Sequence, residues 1–539
     1  MAEDRGGPAG AHVTPPPAAG PLEGSSPGPE DLRRAREVLE AVAGDRSLLA
    51  RLPEEERRRL LVAAGRAVHP ETEQKRRLVK AFRKAKRREV EAHDRALAAG
   101  TGIRAAREAA VFVPPPRLLE AGRVADERPR EAVKPRTCYV CKGEYRLLHA
   151  FYDALCPPCA ELNYEKRFQT ADLRGRVALV TGARVKIGYH AALKLLRAGA
   201  AVVATTRFPH DAARRYGAEP DFAEWGGRLH VRGLDLRHTP SVEIFCSQVS
   251  HELGRLDLLV NNACQTVRRP PGFYAHLLDF EERPVEALPA HLQPLVRSHH
   301  ESVRLLESAP VPPAGGGEGD GESSGGLVAW RGGGAGLGLR HSARLSQVRF
   351  GFDEGARRED LFPDGARDAD LQQVDLRDVN SWRLALAEVR TPEMIEVQLV
   401  NAVAPFVLCA RLKPLMLRTA NRDKHVVNVS AMEGVFSRGT KTFRHPHTNM
   451  AKAALNMLTL TSARDYVRDG IHMNAVDTGW ITDEDPFVHA SRKREQLGFE
   501  PPLDVVDGAA RVLDPFLSGL NTGEHAHGRF FKDYRFSSW

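Results

Sequence analysis

The stretch VALVTGARVKIG, residues 177–188, decides the fold of this chain. Val177 to Thr181 is a short apolar run typical of a buried strand, and the pattern from Tyr189 to Arg197 is helical. Gly182 and Gly188 lie in the turn between them. Glycines there let the backbone approach a pyrophosphate, while the N-terminus of the next helix supplies N–H donors and a favourable dipole. The stretch therefore predicts a phosphate-binding turn between a strand and a helix.

Similar apolar strands recur downstream, separated by helical patterns. They are predicted at 201–206, 229–231, 256–260, 425–429 and 471–476. Such an alternation indicates a parallel sheet covered on both faces, so we predict an α/β fold with a doubly wound Rossmann-type sheet over residues 172–539. One long insertion interrupts the series at about residues 270–379, and its glycine-rich centre, 312–338, predicts an unstructured excursion.

Two different regions precede the sheet domain. Residues 1–30 are rich in Pro, Gly and Ala and are predicted to be disordered, whereas 31–116 form a helical region whose most basic part is Lys75 to Arg88. This basic arm predicts either a solvated helix or a contact with nucleic acid or an acidic protein partner. Because no aromatic interleaving or recognition motif accompanies the charge, we favour the solvated helix over nucleic-acid binding.

Four cysteines form two CxxC pairs within residues 137–168. They are Cys138, Cys141, Cys156 and Cys159. Two such pairs at this separation are typical of a tetrahedral site with four thiolate ligands, for which zinc is the favoured metal and iron the alternative. A structural zinc site leaves no coordination position for a substrate. We therefore predict a small zinc knuckle that folds around its metal ion, and this knuckle could also bind a protein partner.

The composition indicates a protein of the cytoplasm. The 539 residues are 42% hydrophobic and 27% charged, with a net charge of +8. The first residues lack the features of a signal peptide, and the apolar runs fall short of the roughly 20 residues that a membrane helix needs. Paired cysteines of the metal-binding type favour a reducing compartment. We therefore expect no membrane association.

Ordered landmarks along the sheet region carry a family resemblance. Asp235 follows the third strand, Asn262-Ala263 follows the fourth, and Asn401, Lys452 and Thr478-Gly479 come later in the chain. In the spacing and the residue types of these motifs, residues from about 172 to 535 resemble the short-chain dehydrogenase/reductase family, except for the insertion. The resemblance implies an NAD(P)-binding domain and an oxidoreductase activity.

The resemblance also implies which residues hold the cofactor. They are Thr181, Gly182, Arg184, Lys186, Ile187, Gly188, Arg207, Asp235, Asn262, Ala263, Lys452, Thr478 and Gly479. Where NAD enzymes place an acid after the second strand, this chain has Arg207, which can pair with a 2′-phosphate, and Arg184 adds a cation nearby. NADP(H) is therefore favoured over NAD(H). Lys186 occupies the position of the family's middle glycine.

The catalytic positions depart from the family pattern. Ala431 stands at the catalytic serine and Thr448 at the catalytic tyrosine, four residues before Lys452. A threonine hydroxyl is far less acidic than a phenol of pKa ~10, so Thr448 is expected to orient substrate rather than donate a proton. Lys452 would hold the nicotinamide ribose, Asn401 matches the asparagine of the proton relay, and His447 or a bound water would supply the proton.

Two functions follow from this pattern. The favoured one is an NADP(H)-dependent oxidoreductase with a non-standard active site, acting on a small molecule that the sequence does not identify. The alternative is an inactive NADP(H)-binding sensor or scaffold, which would retain the phosphate-binding turn and Lys452 after losing the serine and tyrosine. Family members are commonly dimers or tetramers, so a homo-oligomer is an open expectation.

Overall fold

The computed structural model describes residues 27–69, 72–108, 130–308, 336–350, 358–368 and 372–539. The chain divides into two compact units, Met1–Glu89 and Val90–Trp539. Most of the N-terminal tail and most of the glycine-rich centre of the insertion lie outside the described residues, so those two predictions stay predictions. The last residues of the predicted tail, from Pro29, are helical.

The first unit consists of helices. They are α1 (Pro29–Gly44), α2 (Glu54–Val68) and the start of α3 (Thr72–Ala99). Acidic residues lie in the first turns of α1 and α2, where they complement the partial positive charge of a helix N-terminus. Neither α1 nor α2 contains a buried residue. On α3, Leu78, Val79 and Phe82 are exposed among the basic side chains, so none of these three residues of the basic arm is buried by the part of the chain that the structure describes.

The four-cysteine knuckle follows in the second unit. α4 (Gly102–Glu108) and β1 (Glu131–Thr137) precede it, and the knuckle itself contains β2 (Glu144–Leu147) and α5 (Pro157–Phe168). β1 and β2 pair antiparallel, and α5 begins directly after Cys156 with two prolines, whose fixed φ suits the first turn of a helix.

An eight-stranded sheet forms the centre of the second unit. Its strands are β3 (Val177–Thr181), β4 (Ala201–Thr206), β5 (Leu229–Gly233), β6 (Leu258–Asn261), β7 (Lys424–Ser430), β8 (Ile471–Asp477), β9 (Phe530–Lys532) and β10 (Arg535–Ser537). The order is β10-β9-β8-β7-β6-β3-β4-β5, parallel except for the antiparallel edge strand β10. The predicted doubly wound Rossmann-type sheet is confirmed, and its order reverses between β3 and β6, where ligands of such sheets bind.

Helices cover both faces of the sheet. The described helices of the sheet region are α6 (Lys186–Arg197), α7 (Pro209–Gly217), α8 (Phe222–Trp225), α9 (Thr239–Glu252), α10 (Pro271–Glu281), α11 (Gln293–Ser308), α12 (Leu337–Arg340), α13 (Arg358–Leu361), α14 (Thr391–Gln398), α15 (Ala404–Met416), α16 (Pro446–Arg468), α17 (Phe487–Leu497) and α18 (Val505–Thr522). Ala178 and Val180 pack with α6, α11 and α18, while Leu179 packs with α9, α15 and α16. This alternation is the pleat of a sheet buried on both sides.

The insertion contributes to the core at its described ends. α11 packs against β5, and its Leu295 and Val296 lie in the same apolar cluster as α6 and α18. The stretch Thr391–Met416, α14 to α15, has the length and apolar composition of a membrane helix, and 56% of its most apolar window is buried inside the protein, as in a core helix.

Candidate active site

The phosphate-binding turn has the backbone that its glycines require. Gly182 has a φ of +67°, and a Cβ on Gly188 would lie 2.4 Å from both the Gly182 carbonyl oxygen and Asn262 Nδ2. Lys186, at the middle-glycine position, adopts a left-handed φ of +55°. The lysine therefore reproduces the left-handed backbone that glycine usually provides, at an energetic cost that the surrounding turn must offset.

Hydrogen bonds from the end of β6 fix the turn. The backbone amides of Asn262 and Ala263 both donate to Thr181 Oγ1, each at 3.0 Å. Asn262 Nδ2 donates to the carbonyl oxygens of Thr181 and Gly182 at 2.9 and 3.2 Å. These bonds join the ends of β3 and β6, so Asn262 supports the phosphate-binding turn from behind, and its predicted contact with the cofactor stays a prediction.

A cavity of about 1040 Å³ crosses the carboxyl ends of the strands. Most of the predicted cofactor residues line it: Gly182, Arg184, Lys186, Ile187, Gly188, Arg207, Asp235, Asn262, Ala263, Lys452, Thr478 and Gly479. The lining does not include Thr181, Asn401, His447 or Thr448. The structure thus brings the cofactor set together and leaves three of the four predicted catalytic residues behind the cavity wall.

Arg207 marks one end of the cavity. Its Nη2 donates to the Tyr274 hydroxyl at 2.7 Å, and its guanidinium lies 4.6 Å from the centre of the same ring. Burial alone would raise the pKa of Tyr274, but Arg207 and the neighbouring Arg184 and Arg269 lower it. Tyr274 belongs to α10 at the start of the insertion, so the insertion holds the arginine that was predicted to select the cofactor.

Arg184 is already engaged by an acid. Its Nη1 lies 2.7 Å from Asp211 Oδ2, and Asp211 also pairs with Arg214 and Arg215. Burial would raise the pKa of Asp211, yet Arg184 and Arg215 hold it well below its usual range. One guanidinium nitrogen of Arg184 is therefore held by Asp211, whereas Arg207 forms no ion pair with a carboxylate among the described residues, which makes Arg207 the stronger candidate for a phosphate.

The carboxylate of Asp235 is also occupied. It receives Nε and Nη2 of Arg237, at distances down to 2.6 Å, and Arg237 continues to Glu396 Oε1 at 2.7 Å. The backbone amide of Asp235 donates to Gly338 O at 2.8 Å. Its side chain thus anchors a buried ion-pair chain at the cavity edge, and the predicted contact with adenine stays a prediction.

Lys452 lies at the opposite end of the cavity. It is buried on α16, and its Nζ donates to the carbonyl oxygen of Val429 in β7 at 2.7 Å. Nearby, Asp477 at the end of β8 accepts the amides of Met432 and Gly479 at 2.8 and 2.9 Å. Burial raises the pKa of Asp477. A cation and a carboxyl group therefore face the cavity beside the position of the missing serine.

The start of α16 presents different side chains from those predicted. His445, Asn449 and Lys452 line the cavity, whereas His447 and Thr448 do not. His447 Nε2 lies 3.8 Å from Glu393 Oε1, and burial together with His445 lowers the pKa of His447 to about 4. His447 is thus neutral near pH 7 and turned away from the cavity.

Thr448 is buried, with 2% of the residue exposed. Its hydroxyl has no hydrogen-bond partner within the part of the chain that the structure describes. In contrast, the His445 ring stacks on Trp382 at 3.9 Å between centroids, and its Nδ1 lies 3.1 Å from Asn449 Oδ1. The geometry therefore favours His445 over His447 as the histidine of the cavity, and the predicted roles of His447 and Thr448 gain no support from their positions.

Asn401 lies in a π-helical turn, Leu399–Val403, between α14 and α15. Its Oδ1 accepts the Gln265 amide at 2.8 Å, and its Nδ2 donates to the Gln265 carbonyl at 3.2 Å. The side chain therefore fixes the loop after β6, and Gln265 itself lines the cavity. Asn401 acts on the cavity through that loop, and its predicted place in a proton relay stays a prediction.

The cysteines of the knuckle converge as predicted. The ligand atoms of Cys138, Cys141, Cys156 and Cys159 all lie within 4.8 Å of one another. A backbone hydrogen bond from Gly143, together with the neighbouring thiols, lowers the pKa of Cys141 to about 7. The donor set and its spacing fit a tetrahedral thiolate metal site.

The knuckle also reaches the cavity, which the sequence did not indicate. Tyr139 and Lys142, from the first CxxC pair and the residue after it, are among the lining residues. The Tyr139 hydroxyl accepts the backbone amide of Trp480 at 2.9 Å. The only signal for this in the sequence is an aromatic residue between two ligands, which is too common to indicate a site.

Family comparisons match the two halves of the sheet region. Residues 176–279 match the family described as short chain dehydrogenase, and residues 381–497 match the family described as enoyl-(acyl carrier protein) reductase. The interval between the two matches falls within the insertion and the short stretch after it.

Several individual proteins are similar to parts of this chain. Uncharacterized protein R665 of Acanthamoeba polyphaga mimivirus is 30% identical over 392 residues, covering 70% of this chain and 71% of the viral protein. Retinol dehydrogenase 14 of Mus musculus is 34% identical over 116 residues, 19% of this chain and 34% of that protein. The structure of the Pseudomonas aeruginosa RhlG/NADP active-site complex aligns with 67% of this chain and 95% of its own, at 17% identity and a TM-score of 0.38.

Proposed function

Since this chain belongs to the short-chain dehydrogenase/reductase family, we propose that it is an NADP(H)-dependent oxidoreductase with a non-standard active site. The observation that carries the proposal is the cavity of about 1040 Å³ that joins the phosphate-binding turn to Lys452. A cavity between these two sites has the position that a dinucleotide occupies in a doubly wound sheet.

The residues of the cavity fit the cofactor. Gly188 lets the start of α6 pack closely on Gly182 and Asn262, and the N-terminus of α6 beside the cavity would bind a pyrophosphate. Arg207, with Tyr274 orienting its guanidinium, would bind the 2′-phosphate. No acid stands at the end of β4 to hold a free ribose hydroxyl, so NADP(H) is the preferred form.

Bound NADPH would supply a hydride for a carbonyl, imine or activated double bond. Lys452 would hold the nicotinamide ribose through the N–H donors that its bond to Val429 leaves available. Asn449 and Lys452 lie three residues apart on one face of α16, and His445 lines the cavity from the position just before that helix. We place the proton supply on water bound along this polar face.

A structural zinc ion is the second cofactor of the proposal. The four sulfur atoms lie within 4.8 Å of one another, and thiolate ligands of this kind select zinc or iron. Such a site would require a reducing compartment, in keeping with a cytoplasmic location.

The test combines cofactor binding with hydride transfer. The purified chain is titrated with NADPH and NADH by fluorescence and then supplied with a panel of carbonyl compounds while NADPH oxidation is followed. We expect micromolar binding with NADPH preferred, and turnover that is lost in Lys452→Met. Lys413→Met is the matched control, because Lys413 pairs with Asp465 and Asp469 away from the cavity lining.

The possible results separate the proposal from its alternative. Binding of NADPH without oxidation by any compound would favour the inactive sensor or scaffold. Failure to bind either dinucleotide would mean that the Lys186 side chain closes the phosphate-binding turn, and would refute both functions.

A further inference from the structure

The knuckle is joined to the sheet domain by buried polar contacts. Arg167 on α5 donates to Asp504 Oδ1 and Asp507 Oδ1, both at 2.7 Å, at the start of α18. The Tyr152 hydroxyl donates to Asp507 as well, and Asn163 Oδ1 accepts Nη2 of Arg511 at 2.9 Å. The knuckle therefore has a fixed orientation on the helix that supports the cavity.

Its apolar residues share a core with two cavity segments. Cys138 and Cys159 belong to the same cluster as Ile481 and Leu503, and Ile187 of the phosphate-binding turn packs against that cluster. Two of the four metal ligands thus share one apolar core with the loop after β8. A change in the position of the cysteines would be transmitted to this loop through that core, since packed cores have little room to adjust.

One hydrogen bond makes the connection specific. The segment Thr478–Thr482 follows β8, and the Trp480 amide at its centre donates to the Tyr139 hydroxyl. Trp480 O in turn accepts the Leu503 amide. Tyr139 is half-buried, and Lys532 Nζ lies 5.5 Å from its ring centre. The segment that lines the Lys452 end of the cavity is therefore held from outside the sheet domain by a residue located between two cysteines.

We propose that the metal state of the knuckle controls how tightly the nicotinamide half of the dinucleotide is bound, through Tyr139 and the Thr478–Thr482 segment. The inference rests on the proposed function, because it takes the cavity as the dinucleotide site. The adenosine half would be bound at the other end of the cavity by Arg207, whose guanidinium donates to Tyr274 of the insertion. The two halves should therefore respond differently when the knuckle changes.

The experiment measures two ligands on the full-length chain. NADPH reports on both halves of the site, and 2′,5′-ADP reports on the adenosine half alone. Both dissociation constants are measured with the zinc-loaded chain, after removal of the metal by a chelator, and after zinc is restored. We expect metal removal to weaken NADPH binding at least about tenfold, to leave 2′,5′-ADP within about twofold, and to be reversed by zinc.

Tyr139→Phe tests the connecting hydrogen bond without touching a ligand. It should weaken NADPH binding about threefold to tenfold, which is the effect expected from the loss of one hydrogen bond. Zinc content and 2′,5′-ADP binding should be unchanged. The matched control is Tyr145→Phe, which removes a 2.7 Å bond to the Asp153 carbonyl within the knuckle and leaves the cavity lining intact. It should leave NADPH binding unchanged.

Each remaining outcome decides against one idea. Equal weakening of NADPH and 2′,5′-ADP, no effect of metal removal on NADPH, or a chain that takes up no metal would overturn the inference while leaving the oxidoreductase proposal intact. A zinc-loaded chain that binds neither ligand would refute the proposed function itself.

Discussion

Replacing Arg207 by alanine should abolish the preference of the cavity for NADPH over NADH. Arg207 is fixed by the Tyr274 hydroxyl at 2.7 Å and by the face of the same ring. Among the described residues no carboxylate forms an ion pair with it, so its charge is available to a phosphate. A hydrogen bond to a charged group contributes about 1.5–3 kcal/mol, which corresponds to about 10- to 150-fold in affinity.

The assay is a fluorescence titration of each variant with NADPH and with NADH. We expect Arg207→Ala to weaken NADPH binding about 10- to 150-fold and to change the affinity for NADH by no more than about twofold. Tyr274→Phe, which keeps the ring but frees the guanidinium, should weaken NADPH only about twofold to tenfold. The control is Arg214→Ala, since Arg214 pairs with Asp211 and does not line the cavity. An equal loss of NADPH and NADH affinity in Arg207→Ala would refute the assignment of the 2′-phosphate site.

Three further predictions test the fold around the site. Gly188→Ala should abolish binding of both dinucleotides, measured by the same titration, because its Cβ would lie 2.4 Å from two polar atoms. Arg167→Met should lower the free energy of unfolding in urea by about 3–5 kcal/mol, since two buried carboxylates lose their partner, whereas Met at the exposed Arg174 should change nothing measurable. Burial lowers the pKa of His190 to about 4. The contribution of the neutral His190 side chain to stability is therefore complete above about pH 6.5, and the free energy of unfolding falls by about 1.4 kcal/mol per pH unit as the pH falls toward 4. His190→Asn should remove that part of the pH dependence, and an unchanged slope in urea unfolding would contradict the reasoning.

The sequence by itself determined the sheet and its phosphate-binding turn. A strand buried on both faces is a continuous apolar run, which can be identified in the sequence without knowing its tertiary contacts. A glycine is required wherever a Cβ would meet the backbone, as at Gly188. The two CxxC pairs were equally informative, because a small metal site takes its ligands from fixed local spacings. These features depend on short-range geometry, and the chain records them locally.

The tertiary structure decided which side chains face the cavity. Counting from Lys452 places Thr448 at the position of the tyrosine, yet the cavity is lined by Asn449 of the same helix and by His445 just before it. The spacing of residues gives the helix face only approximately; in the structure His445 stacks on Trp382 at the cavity, whereas His447 lies beside Glu393.

The partners of the charged residues were also decided by the fold. Arg184 could be read as a phosphate ligand until Asp211 is seen beside it, and Arg207 gains its orientation from Tyr274 in the insertion. The contact between Tyr139 and Trp480 joins residues 341 positions apart. Such contacts depend on how separate elements pack in three dimensions, and no local pattern in the chain encodes them.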